Sequence, residues 1–255
     1  MTATRLRAVP VERVWGRRDI PAGFPRLADG VPVGEIWFET PPEAALLVKY
    51  LFTAERLSIQ VHPDDAAAQA RGFPRGKDEA WFILDAEPDA RIGLGLTHEV
   101  SRDALRAAAL DGSIETLLDW RPVKAGELLY SPAGTIHAIG GGISLIEIQQ
   151  NLDLTYRLYD YGRPRELHLE DGIAVAVPGP WVPVPGAGAV LAHGSAFRVE
   201  RWHKGGTLQG PAVVVPVAPT GRIDGEPLAT GAAWNVEGRA EISGEGIDLL
   251  AAFPN

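Results

Sequence analysis

The chain has 255 residues, of which 45% are hydrophobic and 22% charged, and this balance excludes the disordered and membrane-spanning classes. No apolar run approaches the ~20 residues that a spanning helix needs. The net charge of -9, without a basic run, argues against nucleic acid as a partner, and zero cysteines exclude disulfides and thiolate metal sites. The N-terminus lacks the apolar stretch of a signal peptide, so we expect a cytoplasmic protein that does not associate with membranes.

Short apolar segments separated by glycine and proline run through the chain and predict β-strands. In chain order they are EIWFE, ALLVKYLF, RLSIQVH, EAWFIL, ELLYS, ISLIEIQ, IAVAV, VVVPV, AEIS and IDLLAAF. Strands of this length and spacing are typical of an all-β barrel or sandwich. Residues 101–120 depart from the pattern, and we expect two short helices there, with Ser101 as N-cap and a break at Asp111-Gly112. A Pro- and Gly-rich stretch from about 177 to 192 predicts a boundary between two β units, 1–176 and 177–255.

The segment LSIQVHPDD, residues 57–65, carries the first polar cluster. Side chains alternate between the two faces of a strand, so Gln60 and His62 point into the same interior. Buried polar groups cost free energy unless something satisfies them. The pair therefore indicates either a hydrogen-bonded core pair or two ligands of a metal ion.

A second polar cluster lies in KAGELLYSPAGTIHAIGGG, residues 124–142. Its spacing G-x5-P-x-G-x2-H ends on His137 and resembles the second conserved motif of the cupin superfamily. Many cupins have Asn four residues beyond this histidine, where this chain has Gly141. The first cupin motif has H-x-H followed closely by Glu, whereas here Gln60 takes the first position and Glu79 is the nearest plausible carboxylate. Such a mixed N/O set suits Zn(II) and leaves coordination positions open, which favours catalysis.

With these residues together, the chain resembles the short bacterial form of class I mannose-6-phosphate isomerase, a family of the cupin superfamily. The blocks that carry the resemblance are GEIWF at 34–38, LLVKYLFTAERLSIQVHPDD at 46–65, GKDEAWFIL at 76–84 and SPAGTIHAIGGGISLIEIQQNLDLTYRLYDYGR at 131–163. The resemblance implies a catalytic cupin jelly-roll barrel in 1–176 and a smaller, degenerate cupin-like barrel in 177–255. It also implies one Zn(II) per chain, bound by Gln60, His62, Glu79 and His137.

The activity implied by the resemblance is interconversion of mannose 6-phosphate and fructose 6-phosphate through an enediol(ate), with a sugar phosphate as the small-molecule partner. The implied catalytic residues are Arg157, Lys77, Lys49 and Asp153, and the implied substrate-binding residues are Ser58, Lys77 and Arg157. Alternation supports part of this set independently, because Ser58 shares a face with Gln60, and Lys77 with Glu79. Two simpler interpretations stay open: Lys49 as a solvated lysine, and Arg157 as the ion-pair partner of Asp153.

Several further expectations complete the interpretation. Glu147 is a candidate to orient a metal ligand. Longer relatives have His where this chain has Gly76, so the acid that opens the sugar ring is left unassigned. We expect structural or surface roles for the remaining histidines, His98, His168, His193 and His203. The alternative functions are a metal-dependent cupin acting on a different sugar phosphate, an iron oxygenase, and a non-catalytic sugar-phosphate-binding cupin. The sequence does not fix the oligomeric state.

Overall fold

The computed structural model describes residues 2–255, in which 43% of the chain is strand and 10% helix. The strands pair in antiparallel sheets, which confirms the predicted all-β class. Residues 2–255 form no continuous closed barrel. The sheets instead keep open edges, as the sheets of a jelly roll do.

The helices and strands follow one another in a simple order along the chain. The first half contains β1 (Ala3–Arg5), β2 (Ala8–Arg17), β3 (Val33–Phe38), β4 (Leu46–Thr53), β5 (Ile59–Val61), α1 (Asp65–Gln69), β6 (Glu79–Ala86), β7 (Arg91–Leu96), α2 (Arg102–Asp111), α3 (Ile114–Leu117), β8 (Leu118–Pro122) and β9 (Leu128–Ser131). The second half contains β10 (His137–Ile139), β11 (Ile143–Gln150), β12 (Tyr156–Tyr159), α4 (Leu169–Val175), β13 (Val190–His193), β14 (Phe197–Trp202), β15 (Gly206–Gln209), β16 (Ala212–Pro216), β17 (Arg222–Ile223), β18 (Glu226–Pro227), β19 (Trp234–Val236), β20 (Arg239–Ser243) and β21 (Leu249–Pro254).

The chain divides into two compact units that are not consecutive in sequence. The first unit contains the chain through Phe52, the short piece Ile146–Ile148 and the C-terminal part Val184–Asn255. The second unit contains Thr53–Leu145 and Gln149–Pro183. The predicted division of the chain into a catalytic part, 1–176, and a C-terminal β part, 177–255, stays a prediction.

The second unit contains a five-stranded sheet in the order β12-β5-β10-β7-β8, the neighbouring strands β6 and β9, and the two ends of β11, whose middle, Ile146–Ile148, belongs to the first unit. β5 lies between β10 and β12, so the segment that carries Gln60 is paired on both edges. Apolar residues from the sheet and the helices form one buried cluster, which includes Ile59, Leu105, Ile136 and Ile173. This packing makes the sheet a rigid support for the polar side chains that it carries.

The first unit contains a six-stranded sheet in the order β1-β19-β16-β21-β14-β13, a four-stranded sheet in the order β15-β20-β17-β18, and the strands β2, β3 and β4. Its C-terminal core surrounds Trp234, which is fully buried with Val214, Ile242 and Leu249. The pairing of β1 with β19 joins Ala3 to Val236 and so brings the two ends of the chain into one sheet.

The predicted helical segment is confirmed as two short helices, α2 and α3. Ser101 caps α2, because its side chain accepts a hydrogen bond from the backbone N of Ala104. The helix ends at Gly112, which adopts a left-handed conformation with φ of 83°. β8 begins directly after α3, so the last part of the predicted segment is strand. Among residues 2–255, no helix has both the length and the apolar character needed to cross a membrane.

Candidate metal centre

The strand pairing of the second unit brings three polar side chains to one face of a sheet. Gln60 on β5 lies opposite His137 on β10 and opposite Arg157 on β12. Directly opposed residues in an antiparallel pair project to the same face. Gln60 therefore lies between His137 and Arg157, and its Nε2 is 3.2 Å from His137 Nε2.

Three of the four predicted metal ligands converge next to this face. The ligand atoms of His62, Glu79 and His137 all lie within 4.8 Å of one another, and each residue is at most 2% exposed. The His62 Nε2 atom is 3.3 Å from Glu79 Oε1, and the His137 Nε2 atom is 3.4 Å from Glu79 Oε2. We refer to these three residues as the His-Glu-His group.

The hydrogen bonds of the two histidines fix which ring nitrogen carries the proton. His62 Nδ1 lies 2.8 Å from the carbonyl oxygen of Leu154, and His137 Nδ1 lies 2.9 Å from that of Thr135. A carbonyl oxygen only accepts, so Nδ1 is the protonated nitrogen in both rings. The Nε2 lone pairs are left facing Glu79. This arrangement is typical of metal-binding histidines, whose second nitrogen donates to a carbonyl or carboxylate.

Burial keeps both imidazoles neutral. It lowers the pKa of His62 to about 4, although the neighbouring Glu79 carboxylate acts in the opposite direction. Burial also lowers the pKa of His137 below its ordinary value, again against the effect of Glu79. Both rings are therefore uncharged at neutral pH, which is the state in which histidine binds a metal ion.

Glu79 is a buried carboxylate whose hydrogen-bonding capacity is unused. Burial alone would raise its pKa, but the adjacent His62 ring and the charge of Lys77 hold the pKa well below its usual range. Lys77 Nζ lies 2.8 Å from Glu79 Oε1, yet this contact lacks hydrogen-bond geometry, and neither carboxylate oxygen has a hydrogen-bond partner. The ion pair with Lys77 offsets part of the cost of burying this anion, and its oxygens still lack hydrogen bonds. Two imidazole nitrogens and a carboxylate are a suitable ligand set for Zn(II) and similar divalent ions, so these residues fit a metal.

The predicted fourth ligand, Gln60, lies beside the group. Its Oε1 atom accepts a hydrogen bond of 3.1 Å from the Ser58 hydroxyl, and its Nε2 atom faces His137. A half-turn of the amide exchanges the oxygen and nitrogen positions, and the Ser58 hydroxyl can then accept instead of donate. The structure thus places Ser58 and Gln60 together at the group, as the alternation predicts.

The two predicted lysines lie in different units. Lys77 Nζ, in the second unit, is also 3.4 Å from His62 Nε2 and so contacts two members of the His-Glu-His group. Lys49, in the first unit, forms a buried ion pair of 3.3 Å with Glu147 and lies 4.2 Å above the Trp37 ring. Lys49 is 3% exposed, so its interpretation as a solvated lysine is wrong.

Arg157 is held by the backbone that follows its strand. Its Nη1 donates to the carbonyl oxygen of Glu166 at 2.7 Å, while its Nε is buried without a hydrogen-bond partner. Burial and the neighbouring Arg165 lower the pKa of Arg157. Asp153 is exposed, and within residues 2–255 it forms no ion pair with Arg157. The alternative in which Arg157 simply pairs with Asp153 is therefore wrong.

Some features of the centre were not found from the sequence. The carbonyl groups of Leu154 and Thr135 have no sequence signal, because any residue supplies a backbone oxygen. Asp78 is not among the sequence-predicted site residues, although three consecutive charged residues before an apolar strand indicate polar contacts on both faces. The histidines expected to be uninvolved lie outside the His-Glu-His group, and His168 Nδ1 accepts a hydrogen bond from the Arg157 backbone.

Curated proteins similar in sequence carry one activity in their names. The chain is 37% identical to the mannose-6-phosphate isomerase of Streptococcus mutans over 222 residues, which cover 76% of this chain and 70% of the relative. It is 43% identical to the mannose-6-phosphate isomerase ManA of Bacillus subtilis over 137 residues, 51% of this chain and 43% of that protein. No family model matches the chain.

Solved structures agree in fold over the whole chain. The mannose 6-phosphate isomerase of Bacillus subtilis superimposes with a TM-score of 0.83 at 26% identity and covers 99% of both chains. The apo mannose 6-phosphate isomerase of Salmonella typhimurium superimposes with a TM-score of 0.72 at 16% identity, covers 100% of both chains, and shows the fold alone. Sequence identity over most of the chain, with a matching fold and a buried His-Glu-His group, shows that this chain belongs to the mannose-6-phosphate isomerase family.

Proposed function

We propose that this chain is a metal-dependent aldose-ketose isomerase that interconverts mannose 6-phosphate and fructose 6-phosphate through an enediol(ate). The observation that carries the proposal is the His-Glu-His group, in which two unprotonated Nε2 atoms face a carboxylate without hydrogen bonds. In a chain of this family, that ligand set supports a metal centre that serves the isomerisation.

The metal is proposed to be one Zn(II) per chain, with Gln60, His62, Glu79 and His137 as its ligands. Two nitrogens and two oxygens are ligands that Zn(II) accepts, and zinc at catalytic sites can expand to five-coordinate in the transition state. When bound, the ion supplies Lewis acidity that polarises substrate oxygens and stabilises negative charge without a redox change. Lys77 contributes a further positive charge at the same place, because its Nζ contacts both Glu79 and His62.

The reaction moves a proton between C1 and C2 of the sugar. A carbon next to a carbonyl is a weak acid, so the site must provide an acid/base group and must stabilise the enediol(ate). Lys77, Lys49 and Asp153 are the candidate proton carriers, and Lys77 is favoured by its contact with the His-Glu-His group. Arg157 is proposed to stabilise developing negative charge, because it lies opposite Gln60 and its Nε has no hydrogen-bond partner.

The phosphate of the substrate is assigned to binding and positioning. Binding energy from a part of the substrate that does not react can be used to orient the part that does. Ser58, Lys77 and Arg157 are the proposed contacts. Ser58 is supported by its position, because its hydroxyl lies 3.1 Å from Gln60 Oε1, beside the His-Glu-His group. A cytoplasmic location and the absence of nucleic-acid and membrane partners stay predictions from the sequence.

The test is a coupled assay of purified protein that measures fructose 6-phosphate formed from mannose 6-phosphate. We expect turnover with mannose 6-phosphate and much slower turnover with glucose 6-phosphate, its C2 epimer. Turnover of a different sugar phosphate alone would reassign the substrate and keep the metal site. Zinc and sugar-phosphate binding without turnover of any substrate would instead identify a non-catalytic binding protein.

A further inference from the structure

Three consecutive charged residues, Lys77, Asp78 and Glu79, are all buried, with at most 4% exposure. Lys77 and Glu79 contact each other at the His-Glu-His group. Asp78 lies between them in sequence and, by strand alternation, points to the opposite side. A buried carboxylate on that side needs its own partners.

Asp78 uses both carboxylate oxygens in hydrogen bonds to a single neighbouring segment. Its Oδ2 accepts from the Tyr130 hydroxyl and its Oδ1 accepts from the backbone N of Ala133, each at 2.8 Å. Its own backbone is fixed by Gln150, whose Oε1 accepts from Asp78 N at 2.9 Å and whose backbone N donates to Asp78 O at 3.0 Å. Asp78 therefore connects the strand of Glu79 firmly to residues 130–133.

The segment that Asp78 contacts leads into a turn from Pro132 to Thr135, which is closed by a hydrogen bond from Thr135 N to Pro132 O at 3.1 Å. We call it the 132–135 turn. Within this turn, the residue after Ala133 is Gly134, whose backbone N donates to the carbonyl oxygen of His62 at 2.8 Å. The turn thus contacts the elements that carry two members of the His-Glu-His group.

The same turn also holds the third member. The carbonyl oxygen of Thr135 accepts from His137 Nδ1 at 2.9 Å and so sets the orientation of that ring. Successive residues of the turn therefore contact Asp78, His62 and His137. Two backbone links also join these segments, the pairing of Glu79 with Ser131 and the hydrogen bond from Lys77 N to Pro63 O at 3.0 Å. The Asp78 carboxylate adds a side-chain link between the segment of Glu79 and the turn that contacts both histidines.

We propose that Asp78 is a positioning residue, which fixes the distance between Glu79 and the histidines through the 132–135 turn and thereby sets the affinity for the metal. The proposal rests on the metal site of the proposed function and adds a determinant of its geometry. The Asp78 carboxylate contacts Tyr130 and Ala133 and is not proposed to touch metal or substrate. Its effect is transmitted through Ala133 and Tyr130.

The experiment measures zinc affinity of the full chain by competition with a chromogenic chelator. Asp78→Ala removes both acceptors and should weaken zinc binding on the order of 10- to 100-fold, as loss of groups that orient ligands typically does. Asp78→Asn keeps one acceptor oxygen but loses the charge, so the loss should be roughly 3- to 10-fold. If the alanine variant does not fold, the zinc affinity of Asp78→Asn tests the proposal, once circular dichroism shows that this variant is folded.

Asp160→Asn is the matched control. Asp160 is another buried aspartate of the second unit, 2% exposed and paired with Arg163 and Arg165. Its substitution should lower thermal stability and leave zinc affinity within twofold. The proposal is overturned if a folded Asp78→Asn binds zinc within twofold of the parent, or if Asp160→Asn loses as much affinity as Asp78→Asn.

A kinetic measurement separates positioning from general destabilisation. With zinc at saturation, Asp78→Asn should lower kcat for mannose 6-phosphate while KM stays within about twofold, since Asp78 makes no substrate contact. An unchanged kcat would show that the geometry of the zinc-loaded site does not depend on Asp78, and it would overturn the proposal. If the parent binds zinc and shows no isomerase activity, the proposed function fails while the graded zinc affinities still test the role of Asp78.

Discussion

Arg157 lies directly opposite Gln60 in the antiparallel pair of β12 and β5. Their side chains share one face of the sheet, and this face also carries His137. The register of β12 shifts between Arg157 and Tyr159, and irregularities of this kind re-aim side chains next to functional sites. Strand pairing thus places Arg157 on the face that carries Gln60 and His137, while its guanidinium donates to the Glu166 carbonyl.

Arg157→Ala should lower kcat and kcat/KM together, because an arginine that stabilises the transition state contributes little to substrate affinity. We expect a loss on the order of 10²- to 10³-fold, as for other well-placed electrostatic groups. Zinc content should not change. Arg106→Ala is the control, since Arg106 forms a surface ion pair with Glu170. Its kcat and kcat/KM should stay within twofold of the parent values. An increase in KM alone would restrict Arg157 to its proposed phosphate contact and exclude the transition-state role.

Gly134→Ala should destabilise the protein and weaken zinc binding. Gly134 has φ of +84°, and an added Cβ would lie 3.0 Å from Val177 Cγ2. The backbone strain alone costs about 1 kcal/mol, and the steric contact adds to it. Gly72→Ala is the matched control for Gly134→Ala, because Gly72 has a similar φ of +83° but open space around it. Gly72→Ala should lower the free energy of unfolding, measured by urea denaturation, by about 1 kcal/mol and leave zinc affinity unchanged. Equal zinc affinity in both variants would contradict the role assigned to the 132–135 turn.

Glu35 should give the first unit an acid-dependent part of its stability. Burial acts to raise the pKa of Glu35, but Lys49 and then Arg13 lower it below 4.5. The unfolded chain therefore binds the proton first, and the stabilisation is present above pH 4.5 and lost as the pH falls through the lower folded pKa. Urea denaturation between pH 3 and 6 should show a steeper acid loss for the parent than for Glu35→Gln. Parallel curves would refute this linkage.

Zinc should raise the melting temperature of the parent after chelation, because a ligand that binds only the folded state stabilises it. At a free concentration of 100 times Kd the gain is about 2.7 kcal/mol. Glu79→Gln removes the carboxylate from the His-Glu-His group and should abolish most of this shift. The measurement is thermal unfolding with chelator and with added zinc. A zinc-dependent shift of the same size in Glu79→Gln would place the zinc site elsewhere.

The ligand residues could be predicted because they follow local rules. Alternation put Gln60 and His62 on one face, and the spacing after Pro132 identified His137. The tautomers of both histidines could not be predicted, because they depend on the carbonyl oxygens of Leu154 and Thr135, which only the tertiary structure brings near.

The division into two compact units could not be predicted from the sequence for a different reason. Ala3 pairs with Val236 across almost the full length of the chain, and local hydrophobic patterns do not specify which distant strands pair. The helices at 101–120 were predictable because Ser101 and Gly112 are local start and stop signals. Partners of Asp78 such as Tyr130 again depend on non-local register.

The most direct test of zinc-dependent isomerisation is a zinc titration of chelated protein in which bound zinc and isomerase activity are followed together. Metal-free protein should be inactive with mannose 6-phosphate, and activity and bound zinc should rise in parallel to one equivalent per chain. Full activity of metal-free protein, or saturation of zinc binding without any gain in activity, would contradict zinc-dependent isomerisation.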